Sequence, residues 1–394
     1  MRKIWHIVVV ILIITNVLII PQKGYGTELS VSAQAAVLIE KESGRVLYSK
    51  NPDERLPMAS TTKIMTAICA IENKSGDMDK TIEISSSAAG VEGSSMYLEK
   101  GEKMTMKELL YGLMLSSGND AAVAIAEEVS GDCESFANLM NKKAEEMTLK
   151  NTHFTNPNGL PDDEHYSTAR DMAIITAYAL SNAEFSEIVS SKSYKIEGDG
   201  KAYPRVLSNH NKLLSMYEGC IGVKTGFTKA AGRCLVSAAQ RDGMTLIAVT
   251  LNAPNDWSDH ASMFDFGFSN YKYTLVTLKD DPVSSVEIIG SYAEVIPVYP
   301  DRDVYYPLKE GEKVVCETAL YPEISAPLSG GDAVGVMIVR MDGGNVSGKP
   351  VSEENVSLVV RSDVKTISVA KKNREKLREN IVRALKKWLS FLSN

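Results

Sequence analysis

The chain has 394 residues, room for two or three domains. At 44% hydrophobic and 24% charged it has the composition of an ordinary globular protein. Its net charge of −7 gives no reason to expect nucleic acid as a partner, although local basic patches remain compatible with it.

The first residues differ from the rest. Arg2 and Lys3 precede an apolar run from Ile7 to Ile20, broken only by Thr15 and Asn16, and small residues follow at Gly24 and Gly26. This pattern predicts an export signal over residues 1–26 with a cut before Thr27. The alternative is an uncleaved anchor, for which the run is short against the roughly 20 residues of a full span.

After the leader, Ala35–Glu40 and Val46–Ser49 read as strands around a Ser43-Gly44 turn. Ser60–Ile71 reads as a helix, with Ile64, Met65, Ile68 and Ile71 at helical spacing. Met106–Leu115 and Asp120–Val129 are further helices, broken at Ser116-Ser117-Gly118-Asn119, and Ala169–Leu180 is another. Cys220–Lys224, Cys234–Ala239 and Met244–Leu251 are short, apolar and β-branched, the last two joined by an Asp242-Gly243 hairpin turn. The expectation is one α+β domain over 27–274, both ends of the segment giving strands to one sheet with helices on its faces.

From about Leu275 the text becomes short strands with turn signals and no cluster of catalytic residues. It predicts a small all-β domain over 275–362. The terminal segment, 363–394, ends in a helical pattern from Arg374. Leu377, Ile381, Leu385, Trp388, Leu389 and Leu392 share one face, and Arg374, Arg378, Arg383, Lys386 and Lys387 lie elsewhere. Such a basic amphipathic helix suits a membrane interface, the alternative being a helix docked on the protein's own core. Cys69, Cys133, Cys220, Cys234 and Cys316 are scattered without a C-x-x-C pair. They read as small buried hydrophobes rather than metal ligands, and no metal or other cofactor is expected.

Three motifs carry chemistry. Ser60-Thr61-Thr62-Lys63 opens a predicted helix and places a serine and a lysine on one face. Serine is a weak nucleophile that needs a base in reach, and a buried lysine can be one because burial disfavours its charge. Ser117-Gly118-Asn119 lies between two apolar helices. Ser117 could relay a proton between Lys63 and a leaving amine, and Asn119 could hydrogen-bond a substrate amide. The same residues also suit a plain turn. Lys224-Thr225-Gly226, followed by Phe227, ends a strand whose edge could pair with an extended peptide. Lys224 and Thr225 would offer a cation and a hydroxyl to a terminal carboxylate, and Gly226 would leave room for close approach. Each motif alone has a bland reading. Their occurrence together, in order and each in fitting local structure, is what points to one active site. This combination of motifs is among the known catalytic signatures of penicillin-binding proteins and class A β-lactamases.

The chain resembles the low-molecular-mass serine D-alanyl-D-alanine carboxypeptidases. The likeness rests on the leader, Pro57–Lys63, Met114–Ala122, Lys224-Thr225-Gly226, the trailing β domain and the terminal helix. The resemblance implies the α+β β-lactamase/transpeptidase fold and a peptidoglycan stem peptide ending in D-Ala-D-Ala as substrate. It implies Ser60 as nucleophile, Lys63 as base, and Ser117 with Lys63 delivering a proton to the departing D-Ala. It assigns Lys224 and Thr225 to the terminal carboxylate, and the backbone N–H groups of Ser60 and Phe227 to the oxyanion hole. β-Lactam antibiotics would acylate Ser60. The enzyme would sit outside the cell, on the outer face of the cytoplasmic membrane.

Two departures stand out. Phe227 occupies a position where many members carry His. The stretch Leu251–Asp256 holds no Arg where some members place one near the carboxylate, so carboxylate binding is expected to rest more on Lys224. The rival readings are a β-lactamase, with Glu164 as a candidate for speeding deacylation, a DD-endopeptidase, and a non-catalytic cell-wall or β-lactam binding protein.

Overall fold

The computed structural model describes residues 29–392 apart from 75–76, 198–203, 292–294, 343–352 and 368. The expected leader over 1–26 lies outside the described residues. In chain order the first part runs β1 (Ala35–Glu40), β2 (Val46–Lys50), α1 (Lys63–Lys74), β3 (Thr81–Glu83), β4 (Lys103–Thr105), α2 (Met106–Leu115), α3 (Asn119–Ser130) and α4 (Cys133–Glu146). It continues with α5 (Ala169–Leu180), α6 (Ala183–Ser190), β5 (Ser193–Ile196), β6 (Arg205–Ser208), α7 (Leu213–Met216), β7 (Cys220–Thr228), β8 (Gly232–Arg241), β9 (Met244–Leu251) and α8 (Asp256–Asn270).

An antiparallel sheet in the order β2-β1-β9-β8-β7 organises this part. Strand β1 lies against β9, Val37 opposite Val249 and Ile39 opposite Ile247, so the first and last strands of the segment are neighbours. Every residue of β1 is buried because both sheet faces are covered. Val37 and Ile39 point into the main core with Ile64, Ile68, Leu109 and Ile125. Leu38, one residue out of phase, faces α8, where a Cβ on Gly267 would stand 3.1 Å from it and 2.4 Å from Leu246. The Asp242-Gly243 turn has both residues at positive φ, 49° and 82°, the geometry a two-residue hairpin requires. Helix α2 starts at a capping box in which Thr105 and Glu108 bond each other's backbone N–H, and Asp132, Thr168 and Asn182 cap α4, α5 and α6.

One expected boundary moves. The helix read from Ser60 begins at Lys63, and Ala59–Thr62 forms a 3-10 turn. The Thr61 and Thr62 hydroxyls donate back to the Met58 and Ala59 carbonyls at 2.7 and 2.8 Å, tightening the chain there. Helix α8 is absent from the periodicity reading. Its buried set is small and mixed, including Asp256, His260 and Gly267 beside Met263 and Phe264, so no simple apolar stripe marks it.

The remainder is β10 (Lys272–Thr277), β11 (Ser284–Glu287), β12 (Val295–Pro300), β13 (Val304–Leu308), β14 (Val314–Leu320), β15 (Ala333–Met341), β16 (Glu354–Val359) and α9 (Val369–Leu392). A five-stranded sheet, β11-β12-β16-β15-β14, and the β10–β13 pair enclose a separate core that includes Val298, Tyr306, Met337, Val356 and Leu358. Arg45 bridges from the β1–β2 turn. It pairs with Glu312 at 2.8 Å, donates to the Pro307 carbonyl and lies over the rings of Tyr271 and Tyr306. All five cysteines are unpaired. Cys69 and Cys234 are buried as expected, but Cys316 is exposed on the edge strand β14, opposite Val339 of β15.

Candidate active site

The site forms where the 3-10 turn carrying Ser60 meets the edge strand β7. Ala59 sits at φ 48°, a costly conformation for a residue with a Cβ. Several contacts hold it. Gly159 packs so closely that a Cβ there would fall 2.0 Å from the Ala59 carbonyl oxygen. His165, buried and with its pKa pushed down to about 4 chiefly by that burial, stands behind the turn. The Thr155 backbone N–H donates to its Nδ1 at 3.0 Å, so Nε2 carries the proton toward Thr62 Oγ1, 2.8 Å away. On the other side, a Cβ on Gly226 would come within 3.1 Å of both Ser60 N and the Met58 carbonyl. Only glycine allows β7 to run this near the nucleophile.

Lys63 is fully buried, and its Nζ donates to Asn119 Oδ1 at 2.7 Å and the Asn158 carbonyl at 2.6 Å and lies 2.9 Å from Ser60 Oγ, a bond it donates when protonated and accepts when neutral. Burial, then the nearby charge of Lys224, holds its pKa well below the usual lysine range, against a smaller opposing pull from Asp120. A neutral amine 2.9 Å from a serine hydroxyl can take that hydroxyl's proton, which is the geometry of an activated nucleophile.

Ser117 and Asn119 flank this pair. Ser117 lies on the cleft wall at φ 60°, with no hydrogen-bond partner for its hydroxyl among the described residues. The Asn119 oxygen accepts from Lys63 at 2.7 Å, and its amide donates one proton to the Glu92 carbonyl at 2.6 Å, which leaves a second amide proton for the expected substrate contact. This orients the base. The next residue, Asp120, is fully buried and accepts from Met96 N, Leu98 N and Ser95 Oγ, fixing the loop whose Ser94 lines the cleft.

Lys224 is 1% exposed and donates to the Thr225 carbonyl at 3.0 Å. Burial lowers its pKa to about 7. Thr225, Gly226 and Phe227 form the cleft surface in front of it, with Phe227 65% exposed. Among the described residues strand β7 pairs only with β8, so its other edge is open to a peptide.

The cleft has a volume of about 340 Å³. Its outer wall contains residues that motif reasoning missed. Arg233 stands opposite Phe227 across the β7–β8 pair. One of its terminal nitrogens contacts both oxygens of buried Asp256 at 2.8 Å, and its guanidinium lies 5.8 Å from the Trp257 ring centre. The stretch Leu251–Asp256 holds no arginine of its own, but its Asp256 orients one from the neighbouring strand. Register across a hairpin is the only signal that would have found it. His210 and Lys212 line the opposite rim. The Asn158 carbonyl had a weak forerunner in the turn-rich run Asn156-Pro157-Asn158-Gly159. Glu164 is exposed and is not among the residues that line the cleft.

A half-buried serine beside a buried lysine, backed by a second buried lysine and facing an open strand edge, defines a serine acyl-transfer enzyme acting on peptide carboxyl ends. Comparison with known proteins narrows the class. Residues 22–255 match the family described as D-alanyl-D-alanine carboxypeptidase, and residues 271–366 match the C-terminal domain of penicillin-binding protein 5. The chain is 38% identical to D-alanyl-D-alanine carboxypeptidase DacF of Bacillus subtilis (strain 168) over 336 residues, covering 83% of this chain and 86% of that one. The crystal structure of penicillin binding protein 5 from Haemophilus influenzae superposes with a TM-score of 0.69 at 30% identity, covering 86% of this chain and 99% of that one. The Streptomyces K15 DD-transpeptidase superposes with a TM-score of 0.58 at 35% identity, covering 62% and 99%. The chain belongs to the D-alanyl-D-alanine carboxypeptidase family and is a serine-type carboxypeptidase with the transpeptidase/β-lactamase-like fold and a C-terminal all-β domain.

Proposed function

We propose that Ser60 attacks the penultimate D-Ala carbonyl of a peptidoglycan stem peptide, with Lys63 as general base, and that water then releases the acyl-enzyme. The observation that carries this is the buried Lys63 Nζ at 2.9 Å from Ser60 Oγ. The Ser60 and Phe227 backbone N–H groups would receive the oxyanion, donors aimed where charge develops. Ser117, whose hydroxyl lies beside this pair on the cleft wall, returns the proton to the departing D-Ala. β-Lactams acylate the same oxygen. Incubation with a peptide ending in D-Ala-D-Ala tests the reading through released D-Ala. A second product appearing when glycine is added would show that an amine can replace water as acceptor.

The terminal carboxylate is held by Thr225 at the surface, by the field of Lys224 behind it and by Arg233 beside it. Wild type should then strongly prefer a free-acid peptide over its C-terminal amide, and Lys224→Ala should discriminate poorly. A charge-assisted interaction of about 1.5–3 kcal/mol is at stake. Lys224 is charged below its pKa of about 7 and neutral above it. For the acid substrate, kcat/KM should therefore fall as pH rises through the neutral range, and for the amide that limb should be missing. Equal acid preference in both proteins would place the carboxylate elsewhere.

The domain limits 27–274, 275–362 and 363–394 belong to the same proposal, with 1–26 as export signal and the enzyme acting outside the cell. Among the described residues no helix is long and apolar enough to cross a membrane. Helix α9 exposes Leu377, Ile381, Val382 and Leu385; the side chains of Trp388, Leu389 and Leu392 lie outside the described residues. With Arg378, Arg383 and Lys386 it suits an anionic bilayer surface, each cation contributing about 1 kcal/mol there. The β domain then spaces Ser60 from the outer face of the membrane. Mature protein should float with anionic liposomes, and a form ending at Asn373 should stay behind with unchanged activity on small peptides. Equal flotation of both forms would remove the helix as anchor.

A further inference from the structure

A second cavity, of about 600 Å³, opens at the other end of the central sheet. Its wall combines Ile221 at the start of β7, the β8–β9 hairpin and the Tyr273–Tyr305 pair from β10 and β13. Ile221 and Phe227 are six residues apart on one strand, so the cavity lies about 20 Å from the catalytic cleft at about 3.3 Å per residue. Nothing in the hydrolytic reaction uses it.

Its lining is chemically specific. The two tyrosine rings lie nearly parallel, 19° apart with centres 5.1 Å apart, and make a flat apolar surface. Gly243 of the hairpin stands next to the Tyr273 ring, where a Cβ would be in contact with it at 3.8 Å, and both rings remain half-buried rather than covered. Around this surface stand hydrogen-bonding groups. Gln240 is exposed and donates to Thr245 at 3.1 Å, which leaves its amide oxygen free. The Asp242 carboxylate has no ion-pair partner among the described residues. Lys41 is neutralised by Glu42 at 2.5 Å, so Asp242 sets a weakly negative field. That field disfavours phosphate- or carboxylate-rich ligands. A pyranose ring fits the remaining chemistry, since its C–H face stacks on an aromatic ring while its edge presents hydroxyls to an amide oxygen and a carboxylate. The hairpin and the tyrosine strands are regular structure, so the site is largely pre-formed, and its size is that of ordinary small-ligand sites.

We propose that this cavity binds a neutral, N-acetylated sugar chain, the glycan part of the wall polymer whose peptide part enters the cleft. The proposal rests on the reading that the chain acts on peptidoglycan. Holding glycan at a second site would raise the local concentration of stem peptides at Ser60 without changing the chemistry there.

Calorimetric titration of the mature enzyme with the tetrasaccharide of N-acetylglucosamine tests it. Wild type should bind saturably, and Gln240→Ala and Tyr305→Ala should each weaken binding at least tenfold. D-Ala release from a small soluble peptide should stay within twofold in both variants, which also reports that Tyr305→Ala is folded, while release from intact wall fragments should fall. Prior acylation of Ser60 with penicillin should leave sugar binding unchanged. Absence of saturable binding by wild type, wild-type affinity in both variants, or binding blocked by penicillin would overturn the site. Sugar binding by a protein that releases no D-Ala would keep the site and overturn the reaction proposed at Ser60.

Discussion

Replacing Ser60 with alanine should abolish both D-Ala release and covalent labelling by a fluorescent penicillin, while leaving the protein folded. The serine is half-buried on the turn, and its hydroxyl accepts a single hydrogen bond, from Lys63 at 2.9 Å. Losing one such bond costs about 1 kcal/mol, and Lys63 retains Asn119 and the Asn158 carbonyl as partners. Stability should therefore change little, and the effect is chemical. The available rate loss is the whole covalent pathway, since the substitution removes the attacking oxygen itself. Labelling by fluorescent penicillin, read on a denaturing gel, decides it. Undiminished labelling of the variant would remove Ser60 as the nucleophile.

Lys63→Ala should slow acylation by about 10²–10⁴-fold, the usual contribution of a positioned general base. It should affect substrate binding much less, because Lys63 lies beneath Ser60, fully buried, and outside the residues that line the cleft. Stability is a balance. The substitution leaves Asn119 Oδ1 and the Asn158 carbonyl without their donor, at about 1–3 kcal/mol for each unpaired buried group, but removes an amine whose burial is itself costly. The net change should be small beside the kinetic loss. The measurement is the single-turnover rate of acyl-enzyme formation at saturating substrate, across pH. In wild type that rate should decline toward acid, since a lysine with a lowered pKa is protonated, and useless as a base, below that pKa. A rate for Lys63→Ala within a few-fold of wild type would assign the proton to another group.

The two lysines do opposite work under similar burial. Lys63 must lose its proton to act, whereas Lys224 must keep its own to attract a carboxylate. Each charge disfavours the other, and Lys224 is the second cause of the lowered Lys63 pKa after burial. An arriving carboxylate would stabilise the proton on Lys224 and so help keep the pair's single charge there. The free enzyme is thus poised for the protonation state that an anionic peptide completes.

Local order was readable from the sequence alone because it depends on near neighbours. The hairpin of β1 and β2, the Asp242-Gly243 turn and helices α2 and α5 follow from period, caps and turn residues. Ser60 and Lys63 were legible as a pair because three residues of helical or 3-10 chain bring their side chains together whatever the rest of the fold does. The tertiary structure alone decided what each group can do. Whether Lys63 is neutral depends on burial beneath the turn, and whether Lys224 faces the cleft or lies behind Thr225 depends on how β7 packs on that turn. The Asn158 carbonyl, Gly159 and His165 reach the nucleophile from a segment about a hundred residues away, through contacts that no local pattern encodes. Arg233 enters the cleft only because hairpin register sets it opposite Phe227 and α8 brings Asp256 beneath it. Spacing along a chain fixes distances over a few residues. Desolvation and the meeting of remote segments, which set the pKa values and complete the site, exist only once the chain is folded.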